Sequence, residues 1–465
     1  MGSGKSKLEG ASEAASRYHH SDASVRTIPL KVDTSLDTET RNDQLLDVAV
    51  ALCPFLLRDE TKNASLSRSD LQVKPLEGGL SNELFVIESS PAGSTAAQQT
   101  VLVRIHPPED TADGCGCAIV DREKENKLVA WLSSIATDQR SSSNHSSNHS
   151  SNHSSNNSNN NDSKDAIAPA YYGRFANGRV EEFYVGHETL SFGDMPEYGA
   201  QTATLLARMH NQDVPNDVMP RTDCPGDVFS VIDTWLQLAA TLEPASLKVE
   251  TAAQTQNFSN LLPELETEWK WLQAALHENR TSLSDSSIAN QAKAFASQIV
   301  LAHMDCQSLN LLRPAGSNEP HHQQQEQEQQ QPLLKLIDFE YSGWNARAVD
   351  IANTFSEYCD MNNCQADFAN EYPSDAAQDV FLQAYVQAVQ PSPLSPTWTD
   401  AERQTFVDAL KQEIGRHTLV SHAGWAIWSL VQHRLSAIDF DYVAYAQHRM
   451  AGYRYFQQRF WKESC

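Results

Sequence analysis

The sequence predicts an α+β protein in two lobes, a small β-rich lobe with one helix over residues 27–185 and a larger helical lobe over residues 186–465. Two observations predict it. Short apolar runs of strand character fill the chain before residue 185, and apolar positions recur at helical spacing after about residue 196. Within the second half, an apolar strand runs into a loop carrying His, Asp and Asn, and a later strand ends on another Asp, so polar groups gather at neighbouring strand ends.

Taken in order, residues 1–26 are small and polar without hydrophobic periodicity and read as a disordered tail, with order expected from Ile28-Pro29-Leu30. Strands are expected at Leu84-Phe-Val-Ile87, Val101-Leu-Val-Arg-Ile105 and Val180-Glu-Glu-Phe-Tyr184, with one helix over residues 121–132 between them. Helices are expected over residues 200–210, 228–242, 262–277 and 286–298, then two short strands around Leu301 and Leu334, then helices to the end. Two segments cannot join a core: residues 141–163, built of Asn-His-Ser-Ser units, and residues 319–331, nearly all Gln, Glu and His. Both read as solvated insertions, in which imidazoles on a polar chain make a poor metal site.

Composition narrows the function. With 40% hydrophobic residues among 465, the chain can bury a sizeable core. Sixty acidic against 35 basic residues give a net charge of -25, which repels a phosphate backbone and excludes nucleic acid as a partner. No run of 18 apolar residues and no apolar signal-peptide core occurs, so a cytoplasmic chain is expected. The eight cysteines are scattered as reduced thiols would be, and neither Cys115-Gly-Cys117 nor Cys359 with Cys364 has zinc spacing. Met1-Gly2-Ser3-Gly4-Lys5-Ser6 fails as a phosphate-binding loop, because no glycine precedes Gly4 at the required distance and no strand leads into it. It fits an N-myristoylation signal at Gly2, which would give only weak membrane association; an ordinary polar tail is the blander reading.

The chemistry concentrates in His303-Met304-Asp305-Cys306-Gln307-Ser308-Leu309-Asn310. Phosphoryl transfer needs a carboxylate beside the attacking hydroxyl, here Asp305, and a carboxamide oxygen on a divalent cation, here Asn310. After the Gln-rich segment, Leu333-Leu-Lys-Leu-Ile-Asp338 reads as a strand ending in a second metal-binding carboxylate, and this hard-oxygen set suits Mg2+. Upstream, Gly78, Gly79, Ser81 and Asn82 form a small-residue turn whose backbone can cover the phosphates of ATP. Arg104, on the strand Val101 to Ile105, can grip phosphate oxygens, and its expected ion-pair partner is Glu125, with Glu123 a neighbouring alternative. Trp425 and Trp428 share a helix face and Tyr445 follows, an aromatic set that reads either as core or as a cage for a cationic head group.

These motifs resemble the choline/ethanolamine kinase family over most of residues 28–460. The resemblance rests on the Gly78-Gly79-Leu-Ser81-Asn82 turn, Arg104, the segment from Pro169 to Phe183, Ile337-Asp-Phe-Glu-Tyr341 through Asp350 to Asn353, and Ser421-His-Ala-Gly-Trp425-Ala-Ile-Trp428. It departs at Met304, where the family usually has Asn, and at Thr354, where it usually has His. The resemblance implies a bilobal protein-kinase-like fold and ATP-dependent phosphorylation of an amino alcohol, the first step of the CDP-ethanolamine and CDP-choline routes to phospholipids. ATP and Mg2+ are the implied cofactors, with Glu182, Phe183 and Gln307 joining the nucleotide site. Asp305, Gln307, Tyr341, Glu357, Trp425, Trp428 and Tyr445 are implied at the substrate, Glu357 countering the ammonium. A small amino alcohol is the expected partner, and a homodimer is left open.

Substrate choice draws mixed signals. Asp305-Cys-Gln307 is similar to choline kinases, whereas Ile119-Val-Asp-Arg122, Ile438-Asp-Phe-Asp-Tyr442 and Ile28-Pro-Leu-Lys-Val-Asp33 are similar to ethanolamine kinases. Polar residues after Glu357, among them Asn362, favour ethanolamine, because a primary ammonium donates hydrogen bonds that a trimethylammonium cannot. The competing readings are an aminoglycoside-type phosphotransferase and a kinase-like binding protein without activity.

Overall fold

A computed structural model describes residues 26–59, 64–76, 82–89, 99–106, 119–143, 166–222, 226–242, 251–281, 286–316, 334–361, 364–436, 438 and 440–461. Gly2, Gly78, Gly79, Ser81, Cys115, Cys117, Asn362, residues 144–163 of the first insertion and the whole of the second lie outside them.

The first lobe is a five-stranded antiparallel sheet in the order β1-β2-β3-β5-β4, formed by β1 (Leu71–Leu76), β2 (Glu83–Ser89), β3 (Thr100–Ile105), β4 (Tyr171–Phe175) and β5 (Gly178–Glu182). Two helices pack on it, not the one that the sequence pattern suggests. Helix α2 (Arg122–Ser143) is longer than the expected 121–132. Helix α1 (Thr38–Leu52) is the addition: Asp37 caps it by accepting from Glu39 and Thr40, and Leu45, Val48, Ala49 and Leu52 bury one stripe against Phe85, Ile87 and Val103. Its polar first half hides this stripe from a reading of the whole segment. Arg26, assigned to the tail from composition, donates to the carbonyls of Leu52 (3.0 Å) and Ala51 (2.8 Å) at the far end of α1.

Past β5 the chain turns at Gly186, whose φ of 72° favours glycine, into β6 (His187–Thr189). That strand pairs with β8 (Leu311–Pro314), which pairs with β9 (Lys335–Leu336). A second small ladder joins β7 (Ile299–Ala302) to β10 (Gly343–Ala346). These ladders present the loops after β7 and β9 toward the sheet lobe. The strand expected to end at Asp338 is shorter than the sequence suggests: the ladder stops at Leu336, and Ile337 donates instead to the Asn310 carbonyl at 3.1 Å.

Helices α3 (Gly199–His210), α4 (Asp227–Thr241), α5 (Ala252–Thr281), α6 (Ile288–Ala296), α7 (Arg347–Ser356), α8 (Asp375–Ala388), α9 (Asp400–Leu435) and α10 (Tyr442–Phe460) make the second lobe. At its centre lies α9, which packs against α4, α5, α6, α7 and α10. Close approach between α9 and α10 depends on Gly452, where a Cβ would lie 2.4 Å from the His422 ring. No helix among the described residues is long and apolar enough to cross a membrane.

Candidate active site

The loop after β7 is shaped by a residue 45 positions downstream of its Asp. Asp350, in the first turn of α7 and fully buried, accepts the backbone N–H of His303 at 2.8 Å and of Met304 at 2.7 Å. Met304 is thereby held at a φ of 67°, a conformation that costs a non-glycine residue energy. Asn353 donates to the Met304 carbonyl at 3.0 Å, and His210 on α3 pairs with Asp350 at 2.8 Å. Burial works against the Asp350 charge, but the His210 contact and the backbone N–H groups keep its carboxyl below the usual range. Sequence reasoning gave His210 no role; its partner lies 140 positions away and no local motif marks it.

Within the loop, His303 donates from Nε2 to the Ile337 carbonyl (3.1 Å) and accepts at Nδ1 from the Asp305 N–H (3.3 Å). Burial lowers its pKa, so the ring is a neutral brace between the two loops. Asp305 is buried. Asn310 donates from Nδ2 both to the Asp305 carbonyl (2.9 Å) and to its carboxylate (2.8 Å), and Gln307 reaches the same carboxylate at 3.3 Å. Burial, then the charges of Glu357, Asp338 and Glu340, push Asp305 well above the ordinary carboxylate range. A cationic substrate or a metal ion in that space would reverse the Coulomb part of this shift.

Asp338 also lies in the left-handed region, with a φ of 65°, and its buried Oδ1 makes no hydrogen bond. The nearest cation is Arg104, whose Nη1 is 3.5 Å from that oxygen. With its nitrogen committed to Asp305, Asn310 keeps its amide oxygen for another partner. An orphaned carboxylate oxygen and a carboxamide oxygen suit one hard divalent cation that completes its shell with water and phosphate oxygens. No cluster of three or more His, Cys, Asp or Glu side chains able to hold a metal occurs among the described residues.

Arg104 does not pair with Glu125. Its guanidinium donates to Glu181 at 3.2 Å, because Glu181 and Arg179 project from the same face of β5 while Arg104 faces Arg179 across the β3-β5 ladder. Glu125 pairs instead with Arg179 (2.6 Å) and with Arg122 (2.9 Å), and Arg122 reaches Glu340 at 2.7 Å. Arg179 also donates to Glu181 at 2.7 Å. The result is an unbroken run of alternating charges, Asp338, Arg104, Glu181, Arg179, Glu125, Arg122 and Glu340, that ties the sheet and α2 to the segment after β9. Arg122, Arg179, Glu181 and Glu340 were given no role from sequence; the register of β3 on β5 sets Arg104 beside Arg179 and Glu181, and the packing of α2 and of the segment after β9 adds Glu125, Arg122 and Glu340. Of the other residues that the resemblance implies at the nucleotide, Asn82 meets His106 Nδ1 at 3.0 Å, Glu182 accepts the Ala170 N–H, and Phe183 follows β5 at the crossing between lobes.

The aromatic set is assembled differently from the expected three-ring cage. Trp425 packs edge-on against Tyr341 (5.2 Å) and Trp428 (5.4 Å), and the Trp428 N–H donates to the Tyr341 hydroxyl at 3.0 Å. Tyr445 packs on Phe440 and accepts hydrogen bonds from Arg449. Nor is Glu357 a free counter-charge, since Arg449 grips it at 2.7 Å. Two cavities flank the loop. One is apolar and takes in Met304, Tyr341, Trp425 and Trp235; the other takes in Gln307, Leu309, Glu357 and Met361.

Residues 148–454 match the family model described as choline/ethanolamine kinase. The chain belongs to the choline/ethanolamine kinase family. It is 29% identical over 398 residues to mouse choline kinase alpha, covering 83% of this chain and 76% of that protein. To a probable ethanolamine kinase of Arabidopsis thaliana it is 26% identical over 418 residues, 89% of this chain and 85% of that one. A Plasmodium vivax ethanolamine kinase has the same fold, with a TM-score of 0.60 at 21% identity over 98% of both chains. So does a Cryptosporidium parvum choline kinase, at 0.59 and 20% identity, covering 90% of this chain and 96% of that one. The protein is therefore a phosphotransferase acting on an alcohol, a kinase that uses ATP and a divalent cation.

Proposed function

We propose that this kinase transfers the γ-phosphate of ATP to the hydroxyl of ethanolamine in preference to choline, with Asp305 as the base. The observation that carries the reading is the double donation from Asn310 to Asp305, which fixes the carboxylate beside the carboxamide oxygen offered to a metal. Asn310 and Asp338 would hold Mg2+, whose chemistry is to neutralise charge on the transferring phosphoryl group. Asp305 receives the hydroxyl proton, and Gln307, at 3.3 Å from it, orients the carboxylate. Arg104, backed by Glu181 in place of Glu125, is held rigid for the nucleotide phosphates, with Asn82, Glu182 and Phe183 on the same side. The preference for ethanolamine rests on the polar groups in the mixed lining of the Glu357 cavity, Gln307, Glu357 and Asp360, to which a primary ammonium can donate hydrogen bonds.

From the other cavity beside the loop, Tyr341 and Trp425, with the neighbouring Trp428, would offer ring faces to the ammonium held at Glu357, while their N–H and O–H groups bond one another or Asn353. Trp425→Ala or Trp428→Ala is expected to raise KM for the amino alcohol by roughly two- to thirtyfold, the worth of about 0.5–2 kcal/mol of cation–π attraction. Steady-state kinetics with each substrate varied in turn checks this. An equal rise in KM for ATP would mean that the rings serve the core and not the substrate.

A further inference from the structure

Arg449 is a guanidinium buried to 1% exposure at the middle of α10, beside the cavity that holds Glu357. Its Nη2 donates to Glu357 Oε1 at 2.7 Å and to the Tyr445 hydroxyl at 2.6 Å, and its Nε donates to the same hydroxyl at 2.8 Å. The third nitrogen, Nη1, makes no hydrogen bond among the described residues. All the bonding that this guanidinium does there goes to two residues on different helical segments, Glu357 at the C-cap of α7 and Tyr445 on α10.

We infer that Arg449 is a positioning residue for substrate choice: by clamping one oxygen of Glu357 it leaves the other as a single, fixed acceptor for an N–H of the substrate ammonium. The inference rests on the reading of Glu357 as the residue that meets that ammonium. Among the described residues Oε2 of Glu357 has no partner, whereas Oε1 is taken. The clamp has two effects. The guanidinium offsets part of the Glu357 charge, which weakens the unspecific attraction felt by any cation, a quaternary one included. It also holds the free oxygen in one direction, which strengthens a charge-assisted hydrogen bond to an ammonium that has an N–H to give. Both effects favour ethanolamine over choline. A lysine could not do the same, because a rotatable point charge lacks the planar fork that reaches Glu357 and Tyr445 together.

The test is a substrate series that removes N–H groups one at a time: ethanolamine, N-methylethanolamine, N,N-dimethylethanolamine and choline, each with KM and kcat measured on purified wild type, Arg449→Lys, Tyr445→Phe and Glu357→Gln. In the wild type KM is expected to rise along the series. In Arg449→Lys, KM for ethanolamine is expected to rise roughly fivefold or more while KM for choline and for ATP stays within about twofold, so that the series flattens. Tyr445→Phe keeps the ring and removes the second anchor of the guanidinium; it is expected to flatten the series in the same direction, and it decides the matter if Arg449→Lys does not fold. A series unchanged in the foldable variants, or all four substrates and ATP shifting together, overturns the clamp. If Glu357→Gln leaves every substrate unaffected, the placement of the ammonium at Glu357 falls and the clamp falls with it. If Glu357→Gln flattens the series and the other two variants do not, only the role of Arg449 is wrong.

Discussion

Asp305→Ala is expected to lose about a thousandfold or more in turnover while ATP still binds, since it removes the proton acceptor and the group that Asn310 and Gln307 are arranged around. A loss of about a thousandfold corresponds to roughly 4 kcal/mol of transition-state stabilisation. Nucleotide affinity is expected to survive because Arg104 and Asn82, proposed for the phosphates, bond Glu181 and His106 and not Asp305. Single-turnover phosphate transfer together with a direct measurement of ATP binding checks it. Near-normal turnover in a folded variant would remove Asp305 from the mechanism.

The second large effect concerns stability. Arg179 is 1% exposed and stands between Glu125 and Glu181, themselves almost fully buried. Burial alone would discharge such carboxylates; it is Arg179, followed by Arg122 for Glu125 and by Arg104 for Glu181, that holds both below the usual range. Arg179→Ala leaves two carboxylates facing each other without a cation between them, and breaking a buried pair in this way costs about 3–5 kcal/mol. The expected result is a lower urea midpoint with unchanged slope, and a change below about 1 kcal/mol would mean that water enters and solvates the pair. The same break loosens Arg104 and Arg122, so activity is expected to fall even where the protein stays folded.

The parts of this molecule that are legible in sequence are those whose meaning is contiguous. Asp305 and Asn310 sit five residues apart on one loop, Asp338 ends a short apolar run, and Trp425 and Trp428 share a helix face, so spacing alone brings each set together. Arg104 was legible as a strand cation able to grip phosphate, but its partner was not. Glu125, Glu123 and Glu181 are equally acidic, and only the register of β3 on β5 selects Glu181. Asp350 with His210, and Arg449 with Glu357, are pairs separated by 140 and 92 positions. Their geometry exists only once helices from different parts of the chain have packed, which no window of sequence contains. Helix α1 was missed for a different reason: its apolar stripe at Leu45, Val48, Ala49 and Leu52 has ordinary helical spacing but occupies only the second half of the helix. That stripe and the capping Asp37 were the available signal.

If the proposed preference holds, this member of the family phosphorylates ethanolamine more readily than choline, and one competition measurement tests it. Wild-type protein is supplied with ATP carrying a labelled γ-phosphate and with equal concentrations of ethanolamine, choline and an aminoglycoside, and the labelled products are separated and counted. Phosphoethanolamine is expected to lead, with phosphocholine second and no labelled aminoglycoside, because the open Glu357 oxygen accepts an N–H that choline lacks. Phosphocholine in excess by more than about tenfold, a difference of roughly 1.4 kcal/mol, would contradict a preference for ethanolamine.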